Sequence, residues 1–135
     1  MKIVIDPSAW VEIFLGSMKG QSVVEVIQDA ELVLTPEIVL AEISRKYLRE
    51  RAKEQVIRSR LRTITESSEL SQIDENIALE GAKAYLEIDE KAKKSKNKKP
   101  SLFDAIVLAI ARINKPKVLT GGLHFKDLPE TVWLK

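Results

Sequence analysis

The first apolar positions, Ile3-Val4-Ile5, form a short run that ends at Asp6. A brief Ile/Val-rich run closed by an acid predicts a buried strand reaching its carboxyl end. Pro7 and Ser8 then turn the chain into an amphipathic helix over about 8–15, closed near Gly16. Val23, Val24, Val26 and Ile27 mark a second helix near 21–30, and Leu32-Val33-Leu34 is a second short strand. Thr35-Pro36-Glu37 predicts a helix start: a hydroxyl N-cap, proline at the first helical position, and an acid near the positive end of the dipole. Helical periodicity continues from 37 to about 65, as two helices with a break near 51–53.

Leu70–Ile73 reads as a short strand, and Asp74 caps a helix to about 92 that carries Ile77, Ala78, Ala82, Tyr85 and Leu86. The lysine run 91–99 ends at Pro100 and reads as a loop, after which Ser101 caps a helix to about 113. Lys117–Thr120 is a strand entering Gly121-Gly122, and 131–134 is the last one. Short apolar strands separated by helices, in a βααβααβαβ-like order, predict an α/β protein. The expected architecture is a three-layer α/β/α sandwich with a mainly parallel central sheet. No internal repeat is present, and 135 residues fit a single domain, 1–135.

Composition then removes whole classes of chemistry. No stretch without a formal charge exceeds eight residues, so nothing spans a bilayer. The opening Met1-Lys2-Ile3-Val4-Ile5-Asp6 meets an acid after three apolar residues and does not read as a signal peptide, so the expected location is cytoplasmic. The absence of cysteine excludes disulfides, thiolate nucleophiles and Cys-based zinc sites. One histidine, His124, excludes multi-His metal sites. Any metal rests mainly on carboxylates, which favours hard cations such as Mg²⁺ or Mn²⁺.

The net charge of +2 conceals an uneven distribution. Residues 45–62 hold eight of the 22 Lys and Arg against two acids, and 91–99 add six lysines with no acid. The remainder has eight basic residues against 18 acidic ones. A basic surface on an acidic body favours a polyanion at one face. Arg45 and Arg49, with Lys98 and Lys99 in the lysine run, are candidate contacts to RNA or to an acidic partner. A solvated helix face is the plain alternative. With 5% aromatic residues, base readout by stacking has little support.

Three acids sit in apolar settings. Asp6 ends the first strand, Glu42 lies in Ile38-Val39-Leu40-Ala41-Glu42-Ile43, and Asp104 is the one charge in SLFDAIVLAIA. A buried ionised carboxylate needs a cation, hydrogen-bond donors or a raised pKa. Each acid also has a structural reading: Asp6 as an N-cap before Pro7, Asp104 as the returning acid of a capping box with Ser101, and Glu42 paired to Arg45 or Lys46. A shared divalent cation would meet the need of all three together. In a parallel sheet such sites gather at the carboxyl edge, where Asp6 and the Thr120-Gly121-Gly122 turn are expected.

The segments VIDPSAW, TPEIVLAEI, SLFDAIVLAIA and VLTGGLHF, in this order and spacing, resemble a PIN domain, and most closely the compact ribonucleases of the VapC toxin type. The resemblance covers nearly the whole chain. It implies Mg²⁺- or Mn²⁺-dependent cleavage of RNA, a homodimer, and a separately encoded antitoxin protein that inserts a segment into the active-site groove. It puts the family's acids at Asp6, Glu42 and Asp104 as catalytic and metal-binding residues, with Ser8 orienting Asp6 or a water. Thr120, Gly121 and Gly122 support the site. Many family members carry a fourth acid in a T-G-D-x-x-F turn; here that turn reads Thr120-Gly121-Gly122-Leu123-His124-Phe125. Glycine in the acid's place puts a two-metal mechanism in doubt. It also supports the alternative of a catalytically weak or silent PIN-like module that binds RNA or a protein. Asp127, five residues on, is within reach of bending back but reads more simply as a surface acid.

Overall fold

The opening apolar run is the central strand of the sheet. A computed structural model describes residues 1–96, 98–120 and 128–133, the side chains of Leu119, Thr120, Val132 and Trp133 excepted. In chain order the described elements are β1 (Lys2–Ile5), α1 (Pro7–Leu15), α2 (Met18–Asp29), β2 (Leu32–Pro36), α3 (Ile38–Arg49) and α4 (Glu54–Ser67). They continue with β3 (Glu69–Ser71), α5 (Glu75–Lys94), α6 (Leu102–Asn114), β4 (Lys117–Thr120) and β5 (Thr131–Trp133). The five strands lie in the order β3-β2-β1-β4-β5, and every pairing is parallel.

Strand periodicity divides β1 between two cores. Ile3 and Ile5 point to one side, where they pack with Trp10, Val23, Val39, Ile43 and Ile64 from α1–α4. Val4 points to the other, against Ala84, Ile88, Leu108 and Ile110 from α5 and α6 and Val118 of β4. Both faces of the strand are dry, so alternation in polarity is absent and the run is continuously apolar. Each large aliphatic side chain buried this way contributes about 1.5–3 kcal/mol. The result is the expected three-layer α/β/α sandwich.

Local chemistry sets the element ends. Asp6 caps α1 by accepting from the Ala9 N–H, and Gly16, at φ 67°, closes that helix in the left-handed region that glycine tolerates. The Ser17 hydroxyl accepts from the Gly20 N–H, which starts α2 at residue 18, three residues before the apolar pattern becomes visible.

Three sequence expectations are corrected. Thr35 and Pro36 do not begin a helix; they end β2, and α3 starts at Ile38 with Glu37 before it. The buried Thr35 hydroxyl accepts from the Trp10 indole N–H at 3.2 Å and shares a hydrogen bond with the Ser68 hydroxyl at 2.7 Å, so it is not available as a cap. The third strand is 69–71 rather than 70–73. The lysine run is not wholly loop, because α5 extends through Lys94. Lys91, Lys93 and Lys94 occupy its last turn, where cations complement the helix dipole, and Lys93 and Lys94 pair with Asp89 and Glu90. No helix among the described residues is long and apolar enough to cross a membrane.

Candidate active site

The strand order runs outward from β1 in both directions, first to β2 and β3, later to β4 and β5. The switch point thus lies between the carboxyl ends of β1 and β4, where helices leave on opposite faces and a crevice opens. Asp6 is the first residue past β1 and is 4% exposed. Its Oδ1 accepts from the Ser8 hydroxyl at 2.7 Å and from the Ala9 N–H at 3.1 Å. Ser8 therefore holds the Asp6 carboxylate in one orientation.

Asp104 lies in the first turn of α6. Its Oδ2 accepts from the Ser101 N–H, while the Ser101 hydroxyl accepts from the Asp104 N–H, both at 3.2 Å. The capping reading of both aspartates is thus realised. Glu42 differs: it sits in the second turn of α3, beyond the helix end where unpaired N–H groups could meet its charge. Burial raises its carboxyl pKa to about 7, the negative charge of Asp104 adds to the rise, Arg45 opposes it, and Asp6 contributes further. Glu42 thus feels both aspartates, and the three carboxylates share one electrostatic neighbourhood.

A pocket of about 360 Å³ opens beside them, lined by Pro7, Glu42, Ile43, Arg45, Lys46, Arg49 and Glu50. Arg45 and Arg49 form part of this wall, whereas Lys98 and Lys99 do not; the two lysines are exposed between α5 and α6. Lys46 pairs with Glu50 at 2.9 Å. The Arg45 guanidinium carbon lies 6.0 Å from the centroid of the Phe103 ring, so a side chain of α3 approaches the start of α6. Phe103 carried no sequence signal, since its contact with Arg45 joins segments about sixty residues apart.

Chemically, the three carboxylates are hard oxygen donors suited to Mg²⁺ or Mn²⁺. Among the described residues, however, no three His, Cys, Asp or Glu side chains are arranged to hold a metal ion. Asp6 accepts from the Ala9 N–H and Asp104 from the Ser101 N–H, so each is oriented by the start of the helix it caps. Thr120 ends β4 opposite Trp133, its side chain not described; Gly121, Gly122, His124 and Asp127 lie outside the described residues.

No curated protein matches the sequence. Solved structures do resemble the fold. A toxin–antitoxin complex from Klebsiella pneumoniae aligns with a TM-score of 0.69 at 18% identity, covering 99% of this chain and 98% of that one. VapBC2 from Rickettsia felis, bound to a DNA fragment from its promoter, aligns at 0.70 and 15% over 98% and 97% of the two chains. VapC20 from Mycobacterium tuberculosis, a Sarcin-Ricin loop cleaving toxin, aligns at 0.63 and 17% over 87% of each. At these identities the likeness is one of fold. The sequence pattern is more specific: the PIN domain family model matches residues 3–130, which take in nearly all of β1, the strands β2 to β4, α1 to α6 and all three acids, and the chain belongs to the PIN domain family.

Proposed function

We propose that this protein is a Mg²⁺- or Mn²⁺-dependent endoribonuclease, the toxin of a toxin–antitoxin pair. The observation that carries the reading is the Glu42 carboxyl, pushed up to about 7 by burial and by Asp104 and Asp6, in a pocket walled by Arg45 and Arg49. Structural carboxylates are normally neutralised by nearby cations or donors; a cluster that raises its own proton affinity beside a basic wall is suited to a cation and an anionic substrate. Asp6, Asp104 and Glu42 would hold the divalent ion. When bound, such an ion neutralises charge on a phosphoryl oxygen and lowers the pKa of water.

The chain's own residues do the rest. Ser8 fixes the Asp6 carboxylate, the Ser101 capping box fixes Asp104, and Glu42 completes the donor set or positions the attacking water. Arg45 and Arg49 draw the RNA backbone toward the pocket. Thr120, Gly121 and Gly122 would support the site, as the family resemblance implies, and Lys98 and Lys99 would extend RNA contact outside the pocket. The structures that share the fold include a toxin–antitoxin complex, a VapBC2 assembly bound to promoter DNA and a toxin that cleaves the Sarcin-Ricin loop. They support an antitoxin protein as partner and RNA as substrate; we further take the enzyme to be a cytoplasmic homodimer of single-domain subunits.

The test is turnover of labelled RNA with Mg²⁺ or Mn²⁺, using Asp6→Asn and Asp104→Asn. Loss of cleavage in both variants is expected; cleavage that survives them defeats the reading. A second reading, a catalytically silent PIN-like module, is favoured by Gly122 and by the lack of a metal-ready cluster among the described residues. Gly122→Asp distinguishes them: tighter Mn²⁺ binding by calorimetry and faster cleavage are expected of the enzyme, and no change in either is expected of the silent module.

A further inference from the structure

A carboxylate pocket that is to take RNA faces an electrostatic problem. One divalent ion falls short of three ionised carboxylates by one charge, so an entering phosphate still meets a negative wall. A cation belonging to the protein has to stand where the phosphate arrives, close enough to the acids to cancel their field.

The side chains at the pocket differ in how well they meet this need. Lys46 is committed to Glu50 at 2.9 Å. Arg49 lines the pocket two helical turns beyond Glu42. Arg45 is three residues from Glu42 on the same face of α3, and its guanidinium carbon lies over the ring of Phe103, the residue before Asp104. It therefore reaches from the helix that carries Glu42 toward the start of the helix that carries Asp104. The ring attracts the guanidinium through its π face without taking up an N–H donor, and those donors suit a bidentate grip on a phosphate.

We propose that Arg45, steadied on the Phe103 ring between α3 and α6, is the phosphate-binding residue of the carboxylate pocket, gripping the RNA backbone next to the cleaved bond. The assignment rests on the ribonuclease reading for its substrate. Phe103 acts through Arg45, as a positioning residue that limits where the guanidinium can go. Before RNA arrives, Arg45 offsets part of the charge of Glu42; on binding, its donors turn to the phosphate. Sequence-independent contact of this kind carries affinity and a salt dependence without base readout.

The test measures binding and cleavage separately. Fluorescence anisotropy of a labelled single-stranded RNA is recorded with the Asp6→Asn protein and with Asp6→Asn/Arg45→Ala, over a range of salt concentrations. Removing Arg45 should weaken binding about tenfold, as expected for a lost charge-assisted bidentate contact. The salt slope should become shallower by about 0.7, the value for one phosphate contact to a single strand. Arg45→Lys should keep the slope and recover part of the affinity, and Phe103→Leu should weaken binding by about twofold to fivefold. An unchanged slope in the Arg45→Ala protein overturns the assignment, whether or not the wild type cleaves RNA. Wild-type turnover is scored on its own: absence of cleavage with a lost slope defeats the nuclease reading and upholds Arg45, and cleavage with an unchanged slope does the reverse.

Discussion

Replacing Glu42 by glutamine removes a charge that the fold resists and leaves the side chain's size almost unchanged. In the folded protein this carboxyl keeps its proton up to about 7 rather than 4.5, first because of burial and then because of Asp104. Between those values the folded chain binds more protons than the unfolded chain, so stability falls as pH rises through the window. At about 1.4 kcal/mol per pH unit, a group sealed from water and displaced this far would cost about 3 kcal/mol above neutrality. Glu42 is only half-buried, and screening by solvent reduces the figure to about 1–2 kcal/mol. Glutamine carries no such penalty. Metal-free Glu42→Gln should therefore match the wild type near pH 4 and exceed its stability by about 1–2 kcal/mol at pH 8. Urea unfolding in EDTA at both pH values measures the difference. Adding Mn²⁺ at pH 8 should reverse the ranking, because a ligand stabilises the state that binds it and the wild type has the extra donor. Stability profiles that run parallel from pH 4 to pH 8 would refute the carboxylate crowding on which the site is built.

Other perturbations test the frame around the pocket. A Cβ at Gly20 would collide with the Glu12 backbone where α1 and α2 cross; Gly20→Ala should lose about 1–3 kcal/mol by urea unfolding, and a loss below this would mean the helices separate freely. Arg112 donates to both Glu87 carboxylate oxygens at 2.6 and 2.9 Å and to Glu130 at 2.9 Å, tying α6 to α5 and to the residue before β5. Arg112→Met should cost about 1–2 kcal/mol at neutral pH after allowance for exposure. Because its hydrogen bonds hold the Glu87 carboxyl below the ordinary range, that contribution is present above the usual carboxylate pKa and fades as pH falls through the lowered one, which a pH series of melting curves can follow. Ser101→Ala removes one side of the α6 capping box and should cost about 1 kcal/mol. If the box also fixes Asp104 for catalysis, RNA turnover should fall by more than the stability loss explains, and equal activity would confine Ser101 to a structural role.

The pattern of short apolar runs was enough to place the sheet, because strands buried on both faces leave a continuous signal in β1 and β2 that no turn residue interrupts. Boundaries failed where a side chain served a distant partner. Thr35-Pro36-Glu37 has the local chemistry of a helix start, yet the Thr35 hydroxyl is taken by Trp10 and Ser68, respectively 25 and 33 residues away. Local preference lost to a tertiary hydrogen bond in a dry setting, where an unmet hydroxyl is costly. The lysines of 91–94 misled in the opposite sense. Charge density reads as loop, but acids one turn earlier and the dipole at the end of α5 make helix acceptable there. The contact between Arg45 and Phe103 was invisible, since nothing in either segment announces the other.

The acids show why a structural and a functional reading of one residue need not compete. Asp6 and Asp104 are both drawn to helix amino ends, as capping arguments require. In a sheet whose strands all run one way, helix amino ends follow the carboxyl ends of strands and so collect along one edge. Capping acids are thereby brought near one another by topology, with their charges lowered in cost by backbone N–H groups. Glu42 lies past the first turn of α3 and has no such help, and burial together with the neighbouring aspartates pushes its carboxyl up to about 7. A divalent ion would relieve that strain at Glu42. It follows that Glu42→Gln should gain stability without metal, whereas Asp6→Asn, which weakens an acceptor held by Ser8 and Ala9, should lose it. Opposite signs for two carboxylates of one pocket, measured side by side in EDTA, would separate crowding from capping; equal signs would mean that the two roles are not divided as the geometry indicates.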